Sequence, residues 1–450
     1  MDQQVKSGAD TADERASAAA WYGLGVLFLA YTFSFVDRSI LSLLVEPIKQ
    51  SLGLSDTQVS LLHGLAFALF YTFLGIPIAR LADSRSRRTI IATGILVWSL
   101  MTAACGLAGR FVTLFLARVG VGVGEAALSP AAFSMLTDLF PKRQLGLAMG
   151  LYSMGVQVGS GLAFIIGGIA VGMALEMGSI DMPLIGTLAP WQTIFFIVGL
   201  PGLVVAAVML TVQEPARKAQ PKLPGDESWL AVFRFIAKEP GTFILHFLGF
   251  AALGLLFNGF IAWTPSFFIR TFGMTPGTAG PLLGSLILVL GSAGIVAGGA
   301  YSDRLFKSGR TAAPIISARL AAIVLIPLSI AAPLMPSFYL CAALFAVFFF
   351  FAAFPYGCAA AAIQMAAPPH LRAQMSAIYL FFLNMIGTGF GPTAIALTTD
   401  YALGDARQLG VSMAIIGGLS ALLGAFILHR CTAPFAGSVN RRAHEQARAV

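Results

Sequence analysis

Apolar stretches of roughly 20 residues or more recur along almost the whole chain, a length that crosses a bilayer as a helix. A helix satisfies its backbone hydrogen bonds internally, as the hydrocarbon interior of a membrane requires. Of the 450 residues, 57% are hydrophobic and only 11% are charged, too few polar groups to cover a soluble surface. The sequence therefore predicts an all-α membrane protein rather than an alternating β-barrel.

The apolar stretches predict twelve transmembrane helices. We place these spans at residues 21–47, 57–82, 88–108, 110–138, 142–172, 190–213, 241–269, 277–303, 312–333, 337–366, 371–398 and 408–430. The tails, the loops after even-numbered spans and the span ends beside them hold 21 Lys and Arg residues, whereas the opposite side holds four. By the positive-inside rule, both termini are expected to be cytoplasmic. The net charge of +8 is thus a topology signal and does not indicate nucleic acid.

A polar interruption near the middle of the chain separates six spans from six. We expect a disordered tail at 1–18, a first half at 19–213, a cytoplasmic linker at 214–240, a second half at 241–430 and a tail at 431–450. Within the linker, apolar residues recur at helical spacing over 228–238. This pattern fits an interfacial amphipathic helix, and a solvated linker is the alternative.

An internal repeat supports the division into halves. Residues 53–55 (GLS) match residues 273–275 (GMT) at an offset of 220, and Asp83 matches Asp303 at the same offset. Residues 159–161 (GSG) correspond to 387–389 (GTG) at an offset of 228. Two parallel six-helix halves predict a transporter whose site lies between them near the bilayer midplane.

Two opposite charges stand inside the fourth predicted span. Arg118 and Glu125 are seven residues apart, so both project from one helix face, about 10 Å apart along the axis. Charged side chains within a span usually face the bundle interior or a polar cavity; a buried structural ion pair is the alternative. Gly120, Gly122 and Gly124 lie between them and would let a neighbouring helix or a ligand approach the backbone.

Residues 79–88 (ARLADSRSRR) and 299–310 (GAYSDRLFKSGR) occupy corresponding places in the two halves. The first resembles the loop 2–3 signature of the major facilitator superfamily, with Ala79, Ser84 and Ser86 departing from it. The resemblance implies a major facilitator fold with two pseudo-symmetric halves. It also implies a cytoplasmic gate, which holds the halves together when the cavity faces outward, built from Asp83, Arg85, Arg87, Arg88, Asp303 and Arg304. A loop that only sets topology is the alternative.

A narrower resemblance concerns residues 35–62 (FVDRSILSLLVEPIKQSLGLSDTQVSLL), 122–141 (GVGEAALSPAAFSMLTDLFP) and 152–168 (YSMGVQVGSGLAFIIGG). These stretches are similar to the spinster family, whose members are linked to sphingosine-1-phosphate and lysophospholipid transport. The family's first-span aspartate corresponds to Asp37, and its fourth-span arginine and glutamate to Arg118 and Glu125. A bacterial homologue in the inner (plasma) membrane is what this resemblance implies.

The depths of these three residues agree with a shared site. The first span climbs outward and the fourth descends, so Asp37 lies at a depth between Arg118 and Glu125. Two carboxylates would then compete for one guanidinium, and the acid farther from it becomes the proton acceptor. We expect Glu125 to take that role, with Asp37 as a second coupling residue and Arg118 as the charge partner or headgroup contact.

The second half carries no acidic residue within its predicted spans except Asp303, at the very end of span eight, and it is rich in phenylalanine. Arg319, near the cytoplasmic end of span nine, either meets an anionic headgroup or extends its charge to the interface. Asn258 either contacts substrate or only packs. We expect a largely apolar substrate cavity formed by Asn258, Phe257, Trp263, Phe354 and Tyr356.

Together these features predict a monomeric, proton-coupled transporter of amphipathic lipids or lipid-like organic ions that works by alternating access. Multidrug efflux or transport of small organic anions is the second hypothesis. A membrane-embedded lipid enzyme is a remote one, because the chain has neither an HExxH nor a GxSxG motif. We expect no cofactor and no metal, since no histidine has a spaced ligand partner.

Overall fold

The computed structural model describes residues 16–183, 186–217, 229–368 and 371–448. Within these ranges the structure does not describe the side chains of Ile76, Ala79, Asp83, Lys142, Trp229, Ala373 and residues 446–448. The described residues contain twelve helices long and apolar enough to cross a membrane. The predicted all-α membrane fold is therefore confirmed.

The first half contains six spans, two of which are interrupted. Its helical segments are Ala18–Leu52, Asp56–Ser60, Leu61–Leu65, Ala66–Ser84, Arg87–Cys105, Phe111–Glu125, Leu128–Leu139, Lys142–Met177 and Pro190–Met209. Leu61–Leu65 is a π-helical turn within the second span. The fourth span breaks after Glu125, because Ala126 and Ala127 form a turn before Leu128–Leu139 begins.

The second half repeats this pattern. Its segments are Pro240–Phe272, Pro276–Ser285, Leu286–Gly291, Ser292–Lys307, Ala313–Leu334, Phe338–Ala353, Tyr356–Ala366, Arg372–Phe382, Leu383–Phe390, Gly391–Leu397, Thr398–Leu403, Ala406–Gln408 and Leu409–Arg448. The eleventh span contains two π-helical stretches, Leu383–Phe390 and Thr398–Leu403.

Three local features go beyond the sequence prediction. Strands Ile180–Met182 and Gly186–Leu188 pair antiparallel in the loop between spans five and six. The helix expected in the linker is present as Trp229–Lys238, with one side buried against the bundle. The last helix continues to Arg448, so residues 431–448 prolong the twelfth span, where we had expected a separate tail.

The halves meet along pairs of spans. The second span packs against the eleventh, the fifth against the eighth, and the first against the seventh. Glycines permit this approach: a Cβ on Gly280 would lie 2.5 Å from the Phe164 carbonyl oxygen of the other half. We call the face that carries the loop after span two and the linker the linker side, and the opposite face the far side.

Candidate functional site

The carboxylate of Glu125 is buried and bound by two groups of the first span. Its Oε2 accepts hydrogen bonds from Ser34 Oγ at 2.5 Å and from Arg38 Nε at 2.6 Å. Ser34 and Arg38 are four residues apart, so both face the fourth span from one side of the helix. Glu125 Oε1 is buried and has no hydrogen-bond partner among the described residues. Oε2 of Glu125 is thus bound by two donors, whereas Oε1 retains its capacity to accept a hydrogen bond.

Arg38 is the ion-pair partner of Glu125, a role that the sequence analysis did not foresee. Its guanidinium carbon lies 4.3 Å from the ring centroid of Phe67 and 4.7 Å from those of Phe35 and Tyr71. These rings favour the cation through their negative faces and shield the pair from water. The Arg38 side chain is 18% exposed and that of Glu125 is fully buried.

Arg118 and Asp37 come together differently from what we expected. Arg118 Nη1 donates to the backbone carbonyl of Asp37 at 3.3 Å, while Asp37 Oδ2 accepts from Thr102 Oγ1 at 3.2 Å. Arg118 forms no ion pair with any residue that the structure describes. Arg118 Nε and Asp37 Oδ1 are buried without hydrogen-bond partners in the same set. Asp37, Arg118 and Glu125 therefore lie in one buried polar cluster, in which Arg38 pairs with Glu125 and Arg118 bonds the backbone of Asp37.

Small residues bring the fourth span close to its neighbours. A Cβ on Gly122 would lie 2.8 Å from the Phe67 carbonyl oxygen, and one on Gly124 would lie 2.6 Å from the Trp98 nitrogen. Only glycine fits such approaches, because backbone atoms cannot move aside for a side chain. The expected close helix contact at this glycine run is confirmed.

On the linker side, Arg87 is buried and bound within the first half and the adjoining linker. It pairs with Asp138, donates to Ser134 Oγ at 3.1 Å, and its backbone N–H donates to Glu214 Oε1 at 2.8 Å. Burial by itself would raise the pKa of Glu214, but hydrogen bonds from the Ser86 hydroxyl and the Arg87 backbone hold that pKa below its ordinary value. The basic loop thus anchors the start of the linker.

Arg85, Arg88, Asp303 and Arg304 form no hydrogen bond or ion pair between the halves with any side chain that the structure describes. Arg88 Nη1 lies 3.5 Å from the Val212 carbonyl, and the Arg85 carbonyl accepts from Arg217 at 2.5 Å. Asp303 and Arg304 are exposed. The side chain of Asp83 lies outside the described residues, so its role in the gate stays a prediction.

The predicted cavity residues of the second half form separate groups. The Phe257 and Tyr356 rings lie 5.3 Å apart, and Asn258 Nδ2 donates to Gly254 of its own helix at 2.9 Å. Phe354 is 5% exposed and packs against Tyr301 with ring centroids 6.2 Å apart. The structure brings Phe257, Asn258 and Tyr356 into one region and places Phe354 against the eighth span.

Trp263 and Arg319 each contact a neighbouring span of the second half. Trp263 is 1% exposed, and its Nε1 donates to the Pro392 carbonyl of the eleventh span at 2.8 Å. Arg319 Nη1 lies 3.1 Å from His429 Nδ1 of the twelfth span. Neither is joined to the Arg118 cluster by a described contact, and their predicted substrate roles stay untested.

A far-side cluster of charges, which the sequence analysis used only for topology, links the halves directly. Arg270 Nη1 and Nη2 each lie 2.7 Å from an oxygen of Asp56, and Arg270 Nε lies 2.7 Å from Glu46 Oε1. Asp56 also pairs with Lys49. We call Glu46, Lys49, Asp56 and Arg270 the far-side clamp. Its signal in the sequence was Arg270, one of only four basic residues assigned to the far side.

Further polar bonds surround the clamp. Asp400 Oδ2 accepts from the backbone N–H and the hydroxyl of Thr57, both at 2.7 Å, and Ser60 Oγ donates to Thr393 at 3.3 Å. The described polar contacts between the halves therefore gather on the far side. This arrangement is that of a bundle closed on the far side.

Comparison with known proteins agrees with the fold. A sequence model of the Major Facilitator Superfamily matches residues 27–392. An MFS-type efflux pump of Mycolicibacterium smegmatis is 29% identical over 426 residues, covering 94% of this chain and 95% of the pump. Human protein spinster homolog 1 is 29% identical over 317 residues, covering 66% of this chain. The chain spans 57% of the length of that human relative.

Two solved structures of a bacterial homologue of the human lysosomal transporter Spinster are also similar. The inward-facing unoccupied form is 27% identical with a TM-score of 0.76, covering 95% of this chain and 98% of that chain. The inward-facing occupied form is 28% identical with a TM-score of 0.73, covering 94% of this chain and 95% of that one. The predicted family is thereby confirmed: the chain belongs to the Major Facilitator Superfamily and is a spinster-like membrane transporter.

Proposed function

We propose that this transporter couples proton movement to the alternating-access transport of amphipathic lipids or lipid-like organic ions. The observation that carries the proposal is the buried carboxylate of Glu125, bound to Arg38 and Ser34 through one oxygen and unpartnered at the other. A fully buried carboxylate is costly to keep ionised unless it is paired and hydrogen-bonded. Its state therefore depends on whether Arg38 remains its partner.

Proton coupling follows from that dependence. When Glu125 is ionised, the ion pair to Arg38 ties the fourth span to the first. Protonation removes the charge of Glu125 and weakens the pair, which frees the Arg38 guanidinium for an anionic substrate group. Asp37 is the second carboxylate of the same cluster and serves as the second coupling residue.

Substrate chemistry follows from the two arginines and the apolar second half. Arg118 Nε is buried without a described partner, and a guanidinium presents a planar fork of donors suited to phosphate or carboxylate. On the other half, Phe257 and Tyr356 offer aromatic surface. A single-chain lipid satisfies both requirements, with its headgroup at the first half and its tail at the second.

The direction of opening follows from topology. The positive-inside rule assigns the linker side to the cytoplasm, so closure on the far side corresponds to an inward-facing transporter. Asp83→Asn is expected to shift the population further inward, because the loop 2–3 aspartate of this superfamily stabilises the outward-facing state. Unchanged distances across the cytoplasmic mouth would count against this role.

The central test compares Glu125→Gln with wild type in proteoliposomes under an imposed pH gradient. Glutamine keeps the shape and an acceptor oxygen but cannot ionise, so transport is expected to lose its dependence on the gradient. Glu176→Gln is the matched control, because Glu176 is exposed at the end of the fifth span. Gradient-driven uptake at the wild-type rate in Glu125→Gln would remove Glu125 from the coupling step.

Competition experiments test the substrate class. Lysophospholipids with a phosphate are expected to compete for transport more strongly than fatty alcohols of equal chain length. The apolar tail contributes little, since it leaves one apolar medium for another, so the headgroup decides. Arg118→Ala is expected to erase the difference, and Arg118→Lys to retain part of it.

The efflux alternative rests on the similarity to the mycobacterial pump, which extends over 94% of this chain. It predicts that cationic or uncharged amphiphiles compete as well as phosphorylated ones. In that case Arg118 serves coupling or structure, and multidrug transport becomes the better assignment.

A further inference from the structure

A cleft lies between the cytoplasm-assigned ends of the ninth and twelfth spans, away from the Glu125 cluster. Its volume is about 580 Å³, and it opens between the start of Ala313–Leu334 and the middle of Leu409–Arg448. No part of the proposed transport mechanism uses it. We call it the peripheral basic cleft.

The lining of this cleft is basic. Arg310, Arg319 and Arg430 contribute three guanidinium groups, and His429 stands among them. The described lining residues include no Asp or Glu. Arginines without a carboxylate partner leave their charge available to a ligand, and clusters of this kind are typical of phosphate recognition.

A contact between Arg319 and His429 joins the ninth and twelfth spans at the cleft. Arginine can only donate hydrogen bonds, so His429 Nδ1 must accept the 3.1 Å bond from Arg319 Nη1. The His429 ring then carries its proton on Nε2, which is a second donor. The pair thus presents donors from two helices.

The helix that opens the cleft adds to the positive potential. Ala312 caps Ala313–Leu334 without a side-chain hydrogen bond, and the first turn contains no acidic residue. The Ala313 N–H already donates to the Arg310 carbonyl and Pro314 has no N–H, so this terminus contributes the positive end of the helix dipole and not a set of free donors. Thr311 and Ala312 line the cleft, so this helix end faces the same space.

Deeper in the membrane than the basic groups, both helices carry exposed apolar side chains. Ile323, one turn past Arg319, is 50% exposed, and on the twelfth span Leu422 and Phe426 are 56% and 58% exposed. These side chains lie farther into the membrane than the arginines. The cleft therefore continues as an apolar track in the direction that an acyl chain would follow.

We propose that the peripheral basic cleft binds the headgroup phosphate of an anionic phospholipid from the cytoplasmic leaflet, with an acyl chain lying along the ninth and twelfth spans. This bound lipid is distinct from the transported substrate. Charge complementarity selects the phosphate, and the apolar track distinguishes a lipid from free phosphate. Because the site bridges two spans of the second half, its occupant stabilises their packing.

Native mass spectrometry of the full-length protein titrated with phosphatidylglycerol or phosphatidylcholine tests the proposal without measuring transport. Wild type is expected to retain one phosphatidylglycerol in preference to phosphatidylcholine. The double variant Arg319→Gln with His429→Gln is expected to weaken phosphatidylglycerol retention about tenfold or more, because charge-assisted hydrogen bonds are lost. Retention of phosphatidylcholine should not change.

The matched control is Arg143→Gln, which removes an exposed arginine at the linker-side start of the fifth span. If the double variant misfolds, Arg310→Gln with Arg430→Gln takes its place, since both side chains are exposed. Equal phosphatidylglycerol retention in wild type and either folded cleft variant overturns the proposal. So does displacement of the lipid by millimolar inorganic phosphate, which would assign the cleft to the free anion.

Discussion

Replacing Arg270 by Gln should open the far side of the transporter. Arg270 belongs to the second half and makes two 2.7 Å bonds to Asp56 and one to Glu46, both in the first half. Removing one partner of a buried ion pair costs about 3–5 kcal/mol. Lys49 still contacts Asp56, and the Glu46 side chain is 19% exposed, so the lower end applies. About 3 kcal/mol corresponds to roughly a hundredfold change in an equilibrium constant.

The loss of these contacts destabilises only the state that is closed on the far side, because the far-side clamp forms only in that state. The expected result of Arg270→Gln is therefore a shift towards the far-side-open state, with the fold retained. Arg270→Lys should shift the equilibrium less, since lysine keeps the charge but cannot form the bidentate contact. The control is Arg407→Gln, which changes an exposed far-side arginine.

Pulsed electron paramagnetic resonance distances would measure the shift. Spin labels on cysteines placed at Glu176 and Tyr339 report the separation of the halves on the far side, because both positions are exposed. The four native cysteines are buried, so labelling favours the introduced ones. The reasoning is refuted if Arg270→Gln and wild type give the same distance distribution while both remain folded.

Two further perturbations test the pH behaviour and the packing. The pKa of Glu214 is lower in the folded state, so the stability that this carboxylate contributes is present above its unfolded pKa and is lost as pH falls through the folded pKa. Glu214→Gln should therefore lose less thermal stability than wild type when the pH is lowered from neutral to acidic. An equal loss in the variant and the wild type would contradict this account. Gly124→Ala would place a Cβ 2.6 Å from the Trp98 nitrogen and 2.8 Å from the Gly94 carbonyl oxygen, so the melting temperature should fall by several degrees or folding should fail. Gly146→Ala, with no atom within 4 Å of its added Cβ, is the control and should stabilise its helix by about 0.5–1 kcal/mol. Equal melting temperatures for the two glycine variants would contradict the packing argument.

The fold could be predicted from the sequence because each membrane-spanning segment is recognisable from its own residues. Each span needs its own run of apolar residues, and the repeat of motifs at a fixed offset marks the two halves. The spacing of apolar residues in the linker also allowed the helix Trp229–Lys238, although a solvated linker was the equal alternative. The strands at Ile180–Met182 and Gly186–Leu188 were missed, because so short a hairpin leaves almost no periodic signal.

The candidate site was found in part. Charge inside an apolar run is visible without a structure, so Arg118 and Glu125 were singled out, and the resemblance to the spinster family added Asp37. The partner of Glu125 was not, because Arg38 could be placed at the helix surface or in the bundle depending on how the first helix rotates. The far-side clamp was also missed, since its residues are 214 and 224 positions apart in the chain.

The sequence by itself determined that this protein crosses the membrane twelve times in two related halves and carries a few costly charges at depth. Hydropathy and helical spacing act over one or two turns, and both can be read along the chain. The tertiary structure alone decided that Arg38 pairs with Glu125, that Arg270 joins the halves, and that Arg319 meets His429. Those pairings depend on the rotation and register of whole helices, which are set by close packing against several neighbours at once.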